Sequence, residues 1–281
     1  MRRRPAASVP VLSLLSLLAI SCAVPEPTNP EFSSAADADL DPLELVIGVQ
    51  MGEEVKAYPL SAMAPLEILN DEIGGVPIAV TWCPLSASSA VFDRTAGGSV
   101  RWFNFHPDLY KLNLLVFDEG TETQWSQLAM KAIEGELQGT PLTLLPSLHM
   151  TWEQWRSLHP ETLVMDPIWG SKSFKYRSSG DPGPDGLGER SLVHVVPMDG
   201  KILAYPLDAL SRIGGEWIDE VGDSEIQLHY DARGPAAWAT DPAGGVIPGI
   251  TLYRGHISEF YPEAEWPMAH SESETGSAGG E

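Results

Sequence analysis

Two stretches of the chain, about half its length apart, repeat one another, and this repeat limits the folds that the chain can adopt. VIGVQMGEEVKAYPL at 46–60 aligns without a gap with VHVVPMDGKILAYPL at 193–207, at an offset of 147 residues. NDEIGGVPIAVTWC at 70–83 aligns with IDEVGDSEIQLHYD at 218–231, at an offset of 148. A shared Ala-Tyr-Pro-Leu, followed at matching distance by Asp-Glu-aliphatic-Gly, indicates an internal duplication. The sequence therefore predicts two related units with a further segment inserted between them.

Each copy has the pattern of a small β-rich unit with one short helix. The proline of Ala-Tyr-Pro-Leu marks a strand end or edge, because proline cannot donate a hydrogen bond to a neighbouring strand. Glycine-containing turns such as Glu-Ile-Gly-Gly lead into the later strands. The fold class is therefore predicted to be α+β and strand-dominated. The copies span about 44–95 and 191–240, with helices predicted at 61–69 and 208–213 and strands at 78–82 and 226–230.

The inserted segment, roughly 100–170, is predicted to mix strands and helices. Apolar runs predict strands near 100–105 and 114–117. Two longer patterned stretches, 123–134 and 151–159, predict helices.

The N-terminal residues have the pattern of an export signal. Three arginines precede an apolar run that is too short to span a bilayer as a helix. LAISC at 18–22 resembles a bacterial lipobox, which implies a signal peptide at 1–21 and acylation of Cys22. Ala19 is less usual than leucine at its place, so plain secretion is the alternative. The expected location is extracytoplasmic and lipid-anchored, and Ala23 gives a preference for the outer membrane.

Composition predicts how the remaining chain is organised. Residues 22–42 are rich in Pro, Ser, Ala and Asp, which is typical of a flexible tether. Residues 43–265 are predicted to form a single domain. Its two parts are separated by a Gly/Pro-rich segment at 178–189. Residues 266–281 are predicted to be a disordered acidic tail.

Charge and cysteine content restrict the partners and the stabilising bonds. Removal of residues 1–21 takes away three arginines and no acid, and changes the formal net charge from −22 to −25. Such a chain repels nucleic acid and anionic membrane surfaces, so the expected partners are the membrane, through the lipid, and a small molecule or an envelope protein. Once Cys22 is acylated, Cys83 is the sole thiol, and no internal disulfide can form.

The sequence Trp82-Cys83-Pro84-Leu85-Ser86 resembles a thioredoxin-type W-C-x-x-C motif in which a serine replaces the second cysteine. Such a site needs its cysteine at the N-terminus of a long helix, where the helix dipole lowers the pKa of the thiol. The residues that follow instead predict a hairpin, with strands at about 90–94 and 99–103. The second copy has Asp231 at the position of Cys83. The context therefore argues against a thioredoxin site.

The chain resembles the bacterial DUF3179 family in AYPLSAMAPLEILNDEIGGVPIAVTWCPLSASSAVFDR at 57–94 and in further motifs, over most of residues 43–235. That family typically reads A-Y-P, H-E-I-x-N-D, G-G and C-P-L-C before a V-F-D-R-like strand. The resemblance implies an extracytoplasmic or membrane-attached protein without an established reaction. Some relatives carry selenocysteine in the cysteine motif, which implies redox chemistry in those proteins. The positions that match the family motifs are Glu67, Asn70, Asp71, Cys83, Arg94, Asp118, Thr121, Trp125 and Gln127.

The chain also departs from the family pattern at positions that a redox site would use. Leu66 stands in place of the family histidine, and Ser86 stands in place of its second cysteine or selenocysteine. Asn-Phe-His-Pro at 104–107 replaces the usual loop of small residues. The prediction is a degenerate member of the family.

Cys83 is the candidate catalytic residue, either as a monothiol nucleophile or as a soft ligand for copper(I). The alternative, which the missing motif partners favour, is a small buried side chain at a strand end. The candidate ligand-binding residues are Glu67, Asn70, Asp71, Ser86, Arg94, Asp118, Trp125 and Gln127.

Simpler structural roles are also open to these residues. Asn70 and Asp71 have the pattern of a helix exit and turn. Trp125 and Gln127 lie on the predicted helix 123–134, where the tryptophan would be core and the glutamine would bond buried backbone groups. The seven histidines show no metal-ligand spacing, so no metal site is predicted, and the sequence leaves any cofactor unknown.

The function predicted from the sequence is that of an exported lipoprotein that binds a ligand or assists another protein, with a degenerate cysteine motif. The alternative is a thiol-dependent redox enzyme or a copper-handling protein centred on Cys83. A third class, a structural envelope lipoprotein, would have no cleft lined by Cys83, Glu67 and Asp118.

Overall fold

The computed structural model describes residues 30–167, 188–234 and 236–269. The predicted signal peptide, Cys22, most of the 178–189 segment and the tail from residue 270 onward lie outside the described residues. Within those ranges the chain is strand-dominated, which confirms the predicted fold class. No helix among the described residues is long and apolar enough to cross a membrane.

The first copy consists of a hairpin, a short helix and three antiparallel strands, and one strand precedes it. These elements are β1 (Phe32–Ser34), β2 (Leu45–Met51), β3 (Glu54–Pro59), α1 (Leu60–Met63), β4 (Ile68–Ile73), β5 (Val76–Cys83) and β6 (Ser88–Asp93). β2 pairs with β3, and β5 lies between β4 and β6.

The inserted segment is mostly strand. Its elements are β7 (Thr95–Ala96), β8 (Ser99–Val100), β9 (Phe103–Tyr110), β10 (Asn113–Asp118), β11 (Gln124–Ser126), β12 (Lys131–Glu134), β13 (Thr143–Leu144), β14 (Leu148–Thr151), α2 (Trp152–Leu158) and β15 (Leu163–Met165). Strands β12, β11, β10 and β9 form one sheet in that order, and β9 is at its edge. β14 and β15 instead join the first hairpin, in the order β1-β15-β3-β2-β14.

The second copy has the same order of elements as the first. It comprises β16 (Leu192–Met198), β17 (Lys201–Pro206), α3 (Leu207–Arg212), β18 (Glu216–Val221), β19 (Ser224–Asp231) and β20 (Ala236–Thr240), followed by β21 (Val246–Ile247), β22 (Ile250–Tyr253) and α4 (Ile257–Phe260). Short 3-10 turns occupy Arg254–His256 and Pro267–Ala269. β22 lies beside β16 as β14 lies beside β2. The structure thus repeats the arrangement that the duplicated sequence predicts.

The two copies contact each other reciprocally at the turn that follows their fifth element. In the first copy this turn carries Ser86, whose carbonyl accepts a hydrogen bond from the N–H of Tyr253, 2.8 Å away, at the end of β22. In the second copy the equivalent residue, Gly234, accepts a hydrogen bond of 2.9 Å from Nε2 of Gln154, just after β14. The first copy therefore binds the end of the strand β22 that flanks the second hairpin, and the second copy binds the start of α2, directly after the strand β14 that flanks the first hairpin.

One hydrophobic core includes both copies. It contains Ile47, Tyr58 and Trp82 from the first copy and Tyr205 and Leu228 from the second, all at most 2% exposed. The opposite face of β5 and β6 packs in a second cluster with the inserted segment and with β16 and β22. Burial of apolar side chains on both faces of these strands fixes their position in the fold.

The predicted helix at 61–69 is much shorter in the structure. α1 ends at Met63, and Pro65 follows its C-cap residue Ala64. Proline has no N–H to continue the helix, and its ring would clash with the carbonyl four residues earlier. Asn70 and Asp71 consequently lie in β4, so the helix exit and turn predicted for them is wrong.

The predicted helix at 123–134 is also wrong, because this stretch forms β11 and β12. Trp125, Ser126 and Gln127 are three consecutive buried residues, and the side chains of Trp125 and Gln127 bond to partners on other strands. A surface helix would bury only one stripe of side chains. The second predicted helix, 151–159, is confirmed as α2, which begins with a capping box between Thr151 and Gln154.

Strand pairing and chain ends differ from the predictions in three places. β6 pairs with β5 and β13, and only the two-residue strands β7 and β8 form the expected hairpin. β1 pairs with β15, so part of the predicted tether is strand. Met268, in the predicted tail, is 3% exposed and packs in the main core.

We predict that Gly234→Ala destabilises the fold by about 1–3 kcal/mol, because it overpacks the contact between the two copies. A Cβ atom at this position would lie 2.2 Å from Cγ2 of Thr151. Thr151 cannot move freely, since its side chain caps α2. The measurement is the free energy of unfolding in urea.

Gly120→Ala is the matched control, because its Cβ would meet the nearest atom at an ordinary 3.5 Å. This variant should stay within about 0.5 kcal/mol of the wild type. Equal stabilities of the two variants would show that the contact at Gly234 has room for a methyl group.

Candidate functional site

Cys83 ends β5 and lies inside the protein. It pairs with Ser88 across the turn, and its side chain is 0% exposed. Ala90, Phe92 and Val193 belong to the same apolar cluster. The thiol is free, and its surroundings are those of a packed hydrophobic side chain.

Ser86, where the sequence resemblance predicts a second cysteine, is also 0% exposed and is held by polar partners. Its Oγ lies 2.7 Å from Oγ of Ser88 and accepts a hydrogen bond of 3.0 Å from Nδ2 of Asn113. Ser88 donates its own proton to Oε1 of Gln127 at 2.7 Å. Because Ser88 has one proton to give, Ser86 is the donor to Ser88.

Gln127 connects this pair of serines to the centre of the β5 strand. Its Oε1 accepts a second hydrogen bond, from Nδ2 of Asn113 at 2.8 Å, and its Nε2 donates to Oγ1 of Thr81 at 2.8 Å. Thr81 donates in turn to the carbonyl of Ala90, 2.7 Å away. We call Thr81, Ser86, Ser88, Asn113 and Gln127 the serine–amide cluster. All five residues are at most 3% exposed, and their polar groups are paired within the fold.

Asp118 anchors a second buried group on the inserted sheet. Its carboxylate accepts hydrogen bonds from N of Thr121 at 2.9 Å, from Oγ1 of Thr121 at 2.8 Å and from Nε1 of Trp125 at 3.0 Å. Nη1 of Arg101 lies 3.8 Å away. These bonds fix the β10–β11 turn and orient the Trp125 ring, which is fully buried.

Asp71 lies in a third group, at the edge of the main core. It accepts hydrogen bonds from the Tyr58 hydroxyl at 2.7 Å and from Nζ of Lys56 at 2.8 Å. Burial, and then the nearby Asp71 carboxylate, raise the pKa of Tyr58 well above its ordinary value. The second copy repeats this bond between Tyr205 and Asp219 at 2.6 Å. A feature present in both copies, only one of which has the cysteine, belongs to the repeated fold.

Asn70 and Arg94 bind backbone groups. Asn70 exchanges two hydrogen bonds with the backbone of Phe103, of 2.7 and 3.0 Å, and so joins β4 to β9. Arg94 donates to three carbonyls, those of Ile78, Arg101 and Asp71. Both residues therefore hold the inserted segment against the first copy.

Glu67 lies between α1 and β4 in the left-handed region, at φ +59°. Burial raises the pKa of its carboxyl group. Its carbonyl accepts a hydrogen bond from N of Trp82.

The structure thus distributes the predicted ligand-binding residues over four separate places. Ser86 and Gln127 join through Ser88, and Asp118 joins Trp125. Asp71 lies apart from both, next to Asn70 and bonded through its carbonyl to Arg94, and Glu67 lies beside Trp82. Ligand binding by these residues stays a prediction.

Three of the pockets formed by described residues have volumes of about 330, 560 and 320 Å³, and none of these three includes Cys83, Glu67 or Asp118. The first, the inter-copy pocket, lies between the hairpin of the first copy, the inserted segment and the turn at 244–246 that follows the second copy. Its lining contains no Lys, Arg, Asp or Glu residue. It is lined by Gly48, Gln50, Gly52, Pro146, Ser147, Leu148, Trp155, His159, Gly244, Gly245 and Val246.

Two of the seven histidines are neutral core residues. Burial lowers the pKa of both His149 and His194 to about 4. His149 packs edge-on against the Trp82 ring, at 5.5 Å between ring centroids. Nδ1 of His194 is paired with Oγ1 of Thr251 at 3.0 Å, and its Nε2 has no hydrogen-bond partner among the described residues. The described residues contain no group of three or more His, Cys, Asp or Glu side chains that could hold a metal ion.

Sequence reasoning missed Thr81, Ser88 and Asn113. Thr81 and Ser88 belong to strands whose neighbouring residues are apolar, and Asn113 begins β10 directly after a turn. Polar residues inside buried strands usually find partners in the fold, and this is the signal that the sequence offered. It does not identify the partner, because the side-chain hydrogen bonds of Asn113 and Gln127 join residues 14–46 positions apart.

Comparison with known proteins gives one match. A family model described as a protein of unknown function, DUF3179, matches residues 22–247. No curated protein and no solved structure matches the chain.

We predict that Gln127→Leu destabilises the protein by about 2–4 kcal/mol, because it removes the acceptor of Ser88 and Asn113 and the donor to Thr81. The measurement is urea unfolding followed by circular dichroism. Gln138→Leu is the control, since Gln138 is exposed and makes one hydrogen bond, to Ile133. If both variants lost less than about 0.5 kcal/mol, the cluster would contribute nothing to stability.

We also predict that His194 makes stability depend on pH. Its pKa falls from 6.5 in the unfolded chain to about 4 in the folded protein, so its contribution is full above pH 6.5 and is lost as the pH falls toward 4. The loss is on the order of 3 kcal/mol.

His194→Leu should lack this component when urea unfolding is measured between pH 8 and pH 4. The offset between variant and wild type at pH 8, where the imidazole is neutral in both states, serves as the control. An unchanged pH dependence in the variant would assign the acid sensitivity to other groups.

Proposed function

The chain belongs to the DUF3179 family, and from that premise we propose that it is an exported lipoprotein that binds a ligand or assists another protein and does not act as a thiol oxidoreductase. Its export and its acylation at Cys22 are supported by the arginine-led apolar segment and by LAISC at 18–22.

The observation that carries the proposal is the burial of Ser86 within the serine–amide cluster. A dithiol site needs a second sulfur close to the first, so that the two can form a disulfide or resolve a mixed disulfide. At this position the chain has a hydroxyl group that donates to Ser88 and accepts from Asn113. The motif turn is thereby tied to the inserted sheet and forms part of the packing.

The burial of Cys83 supports the same proposal. A reactive cysteine is usually a partly exposed thiolate that a cation or a helix N-terminus stabilises. Cys83 is 0% exposed among apolar side chains, and no helix follows it, because β5 turns directly into β6.

The inter-copy pocket is the proposed ligand site. Ligand sites often lie where structural units meet, and here residues of the first copy, the inserted segment and the turn after the second copy line the cavity. In a chain with a net charge of −22, a lining without Lys, Arg, Asp or Glu favours an uncharged ligand. Gln50, Ser147 and His159 supply side-chain hydrogen-bonding groups.

We predict that Cys83 reacts with iodoacetamide at least about 100-fold more slowly in the native protein than in urea, because alkylation of the buried thiol requires local opening of the motif turn. The experiment uses a chain that begins at Ala23, so that Cys83 is its sole thiol. The rate is measured from pH 6 to pH 9 in both states, and Cys83→Ala shows the background reaction.

A fast native reaction would contradict the proposal. If its apparent pKa lay well below the ordinary value of about 8.5, Cys83 would be an activated thiolate. The alternative function, a thiol-dependent redox enzyme or a copper-handling protein, would then replace the binding role.

A further inference from the structure

The first copy holds an ammonium group inside the fold, that of Lys56. Its Nζ donates hydrogen bonds to Oδ2 of Asp71 at 2.8 Å and to the carbonyl of Glu72 at 2.7 Å. It also lies 4.5 Å from the centre of the Phe32 ring. The side chains of Lys56 and Asp71 are each only 12% exposed. A carboxylate, a carbonyl and an aromatic face thus surround one cation.

The second copy keeps the acceptors of this arrangement but has no lysine to fill it. Asp219 and Glu220 stand where the first copy has Asp and Glu, whereas Leu203 stands where it has the lysine. The Tyr205 hydroxyl donates to Oδ2 of Asp219 at 2.6 Å. Burial, and then this hydrogen bond, raise the pKa of Tyr205, so it stays a neutral donor at neutral pH. No Lys, Arg or His in the described parts of the chain forms an ion pair with Asp219.

Strand pairing turns the carbonyl of Glu220 in the same direction as that of Glu72. Val221 pairs with Ser224 across a two-residue turn, and Glu220 pairs with Glu225 one step further along. Hydrogen-bonded and non-hydrogen-bonded pairs alternate in an antiparallel hairpin, and the pair next to a two-residue turn is hydrogen-bonded. The carbonyl of Glu220 therefore points away from β19, and β18 is at the edge of its sheet.

A pocket of about 320 Å³, which we call the second-copy pocket, lies beside these acceptors. Its lining includes Asp219, Glu220 and Leu203, and also Lys201 and Glu265. Nζ of Lys201 is paired with Glu265 at 2.9 Å, and both of these side chains are more than half exposed. The pair leaves the charges of Asp219 and Glu220 uncompensated, so the pocket has a net negative charge.

The pocket is open because no described strand takes the place of β1 in the second copy. In the first copy β15 pairs with β3, and β1 pairs with β15, which brings Phe32 to 5.9 Å from the Tyr58 ring. In the second copy Glu265 forms a single bridge to Leu203, and no described strand pairs with Glu265 on its other side. The space that a phenylalanine ring and a lysine side chain fill in one copy is thus open in the other.

We propose that the second-copy pocket binds the ammonium group of a small primary amine. The carboxylate of Asp219 and the carbonyl of Glu220 accept its hydrogen bonds, as their counterparts do from Lys56 in the first copy. A primary ammonium has three N–H donors and can bond to both acceptors at once. Leu203 and Val221 supply apolar contact for its alkyl chain. A volume of about 320 Å³ suits a small ligand.

This site is distinct from the one proposed for an uncharged ligand. The second-copy pocket and the inter-copy pocket have no lining residue in common. The proposal for the amine therefore does not depend on what the inter-copy pocket binds.

The experiment is a titration of the chain that begins at Ala23 with n-butylammonium chloride, at constant ionic strength, followed by NMR of the backbone amides. n-Butylammonium is the side chain of lysine without its backbone, so it reproduces the group that Lys56 supplies in the first copy. We expect a saturable shift of the Gly222 signal. The signal of Gly74, at the same position in the first copy, should show none, because Lys56 already occupies the acceptors there.

Two variants test the acceptors. Asp219→Asn should weaken binding at least about tenfold, because it removes the charge of the acceptor. It should still fold, since the amide oxygen can accept the hydrogen bond from Tyr205. Leu203→Lys should also weaken binding at least about tenfold, because it supplies the ammonium from the chain itself. Glu161→Gln is the matched control, since it makes the same change of charge at an exposed residue of the inserted segment, and it should bind as the wild type does.

Three results would each overturn the proposal. The first is the lack of a saturable shift at Gly222 in the wild-type chain. The second is an equal shift with tetramethylammonium, which has the same charge but no N–H group, because this would show only counterions gathering at an acidic surface. The third is unchanged binding by a folded Asp219→Asn variant.

Discussion

Reciprocal contact between the two copies is the constraint on which the rest of the structure depends. Neither copy completes its hydrophobic core alone. The hairpin of each copy is flanked by a strand from outside the repeat, and the turn of the other copy bonds to that strand or to the helix that directly follows it. Ser86 makes this contact to Tyr253 through its carbonyl, and Gly234 makes it to Gln154. The main core accordingly contains residues of both copies and would be exposed if they separated.

The cysteine motif therefore lies at a structural junction, and this position explains the polar residues around it. A turn that binds the other copy must be held rigidly, and in the first copy the inserted sheet holds it through Asn113 and Gln127. The second copy has no such insert beside its turn, and there a glycine allows the close approach to Thr151. In this chain the hydroxyl of Ser86 takes part in a closed set of hydrogen bonds, whereas a second sulfur would be a weak donor and acceptor there. A serine in place of a second cysteine, and its hydrogen bonds within the serine–amide cluster, are thus consistent with a motif turn whose role is to hold the fold together.

Sequence reasoning succeeded where the signal was local or repeated. The offset of 147–148 residues predicted two units, and the structure has the same element order in both. The capping residues Thr151 and Gln154 lie three positions apart, and the helix that was predicted there is present. It failed at 123–134, where a stretch with helical character forms two strands because Trp125 and Gln127 are both buried and bond to other strands. Tertiary hydrogen bonds and burial on both faces outweighed local propensity.

The sequence by itself determined the strand-rich class, the duplication, the single thiol that remains after Cys22, and the absence of its motif partner. Only the tertiary structure decided that Asn70, Asp71, Arg94 and Asp118 bond to backbone and neighbouring side chains, and that Cys83 is buried. The reason is physical: a buried polar group must find a partner wherever the fold supplies one, and for Ser88 that partner, Gln127, is 39 residues away. The sequence indicates that a buried polar residue needs a hydrogen-bond partner, but it does not show which residue that partner is.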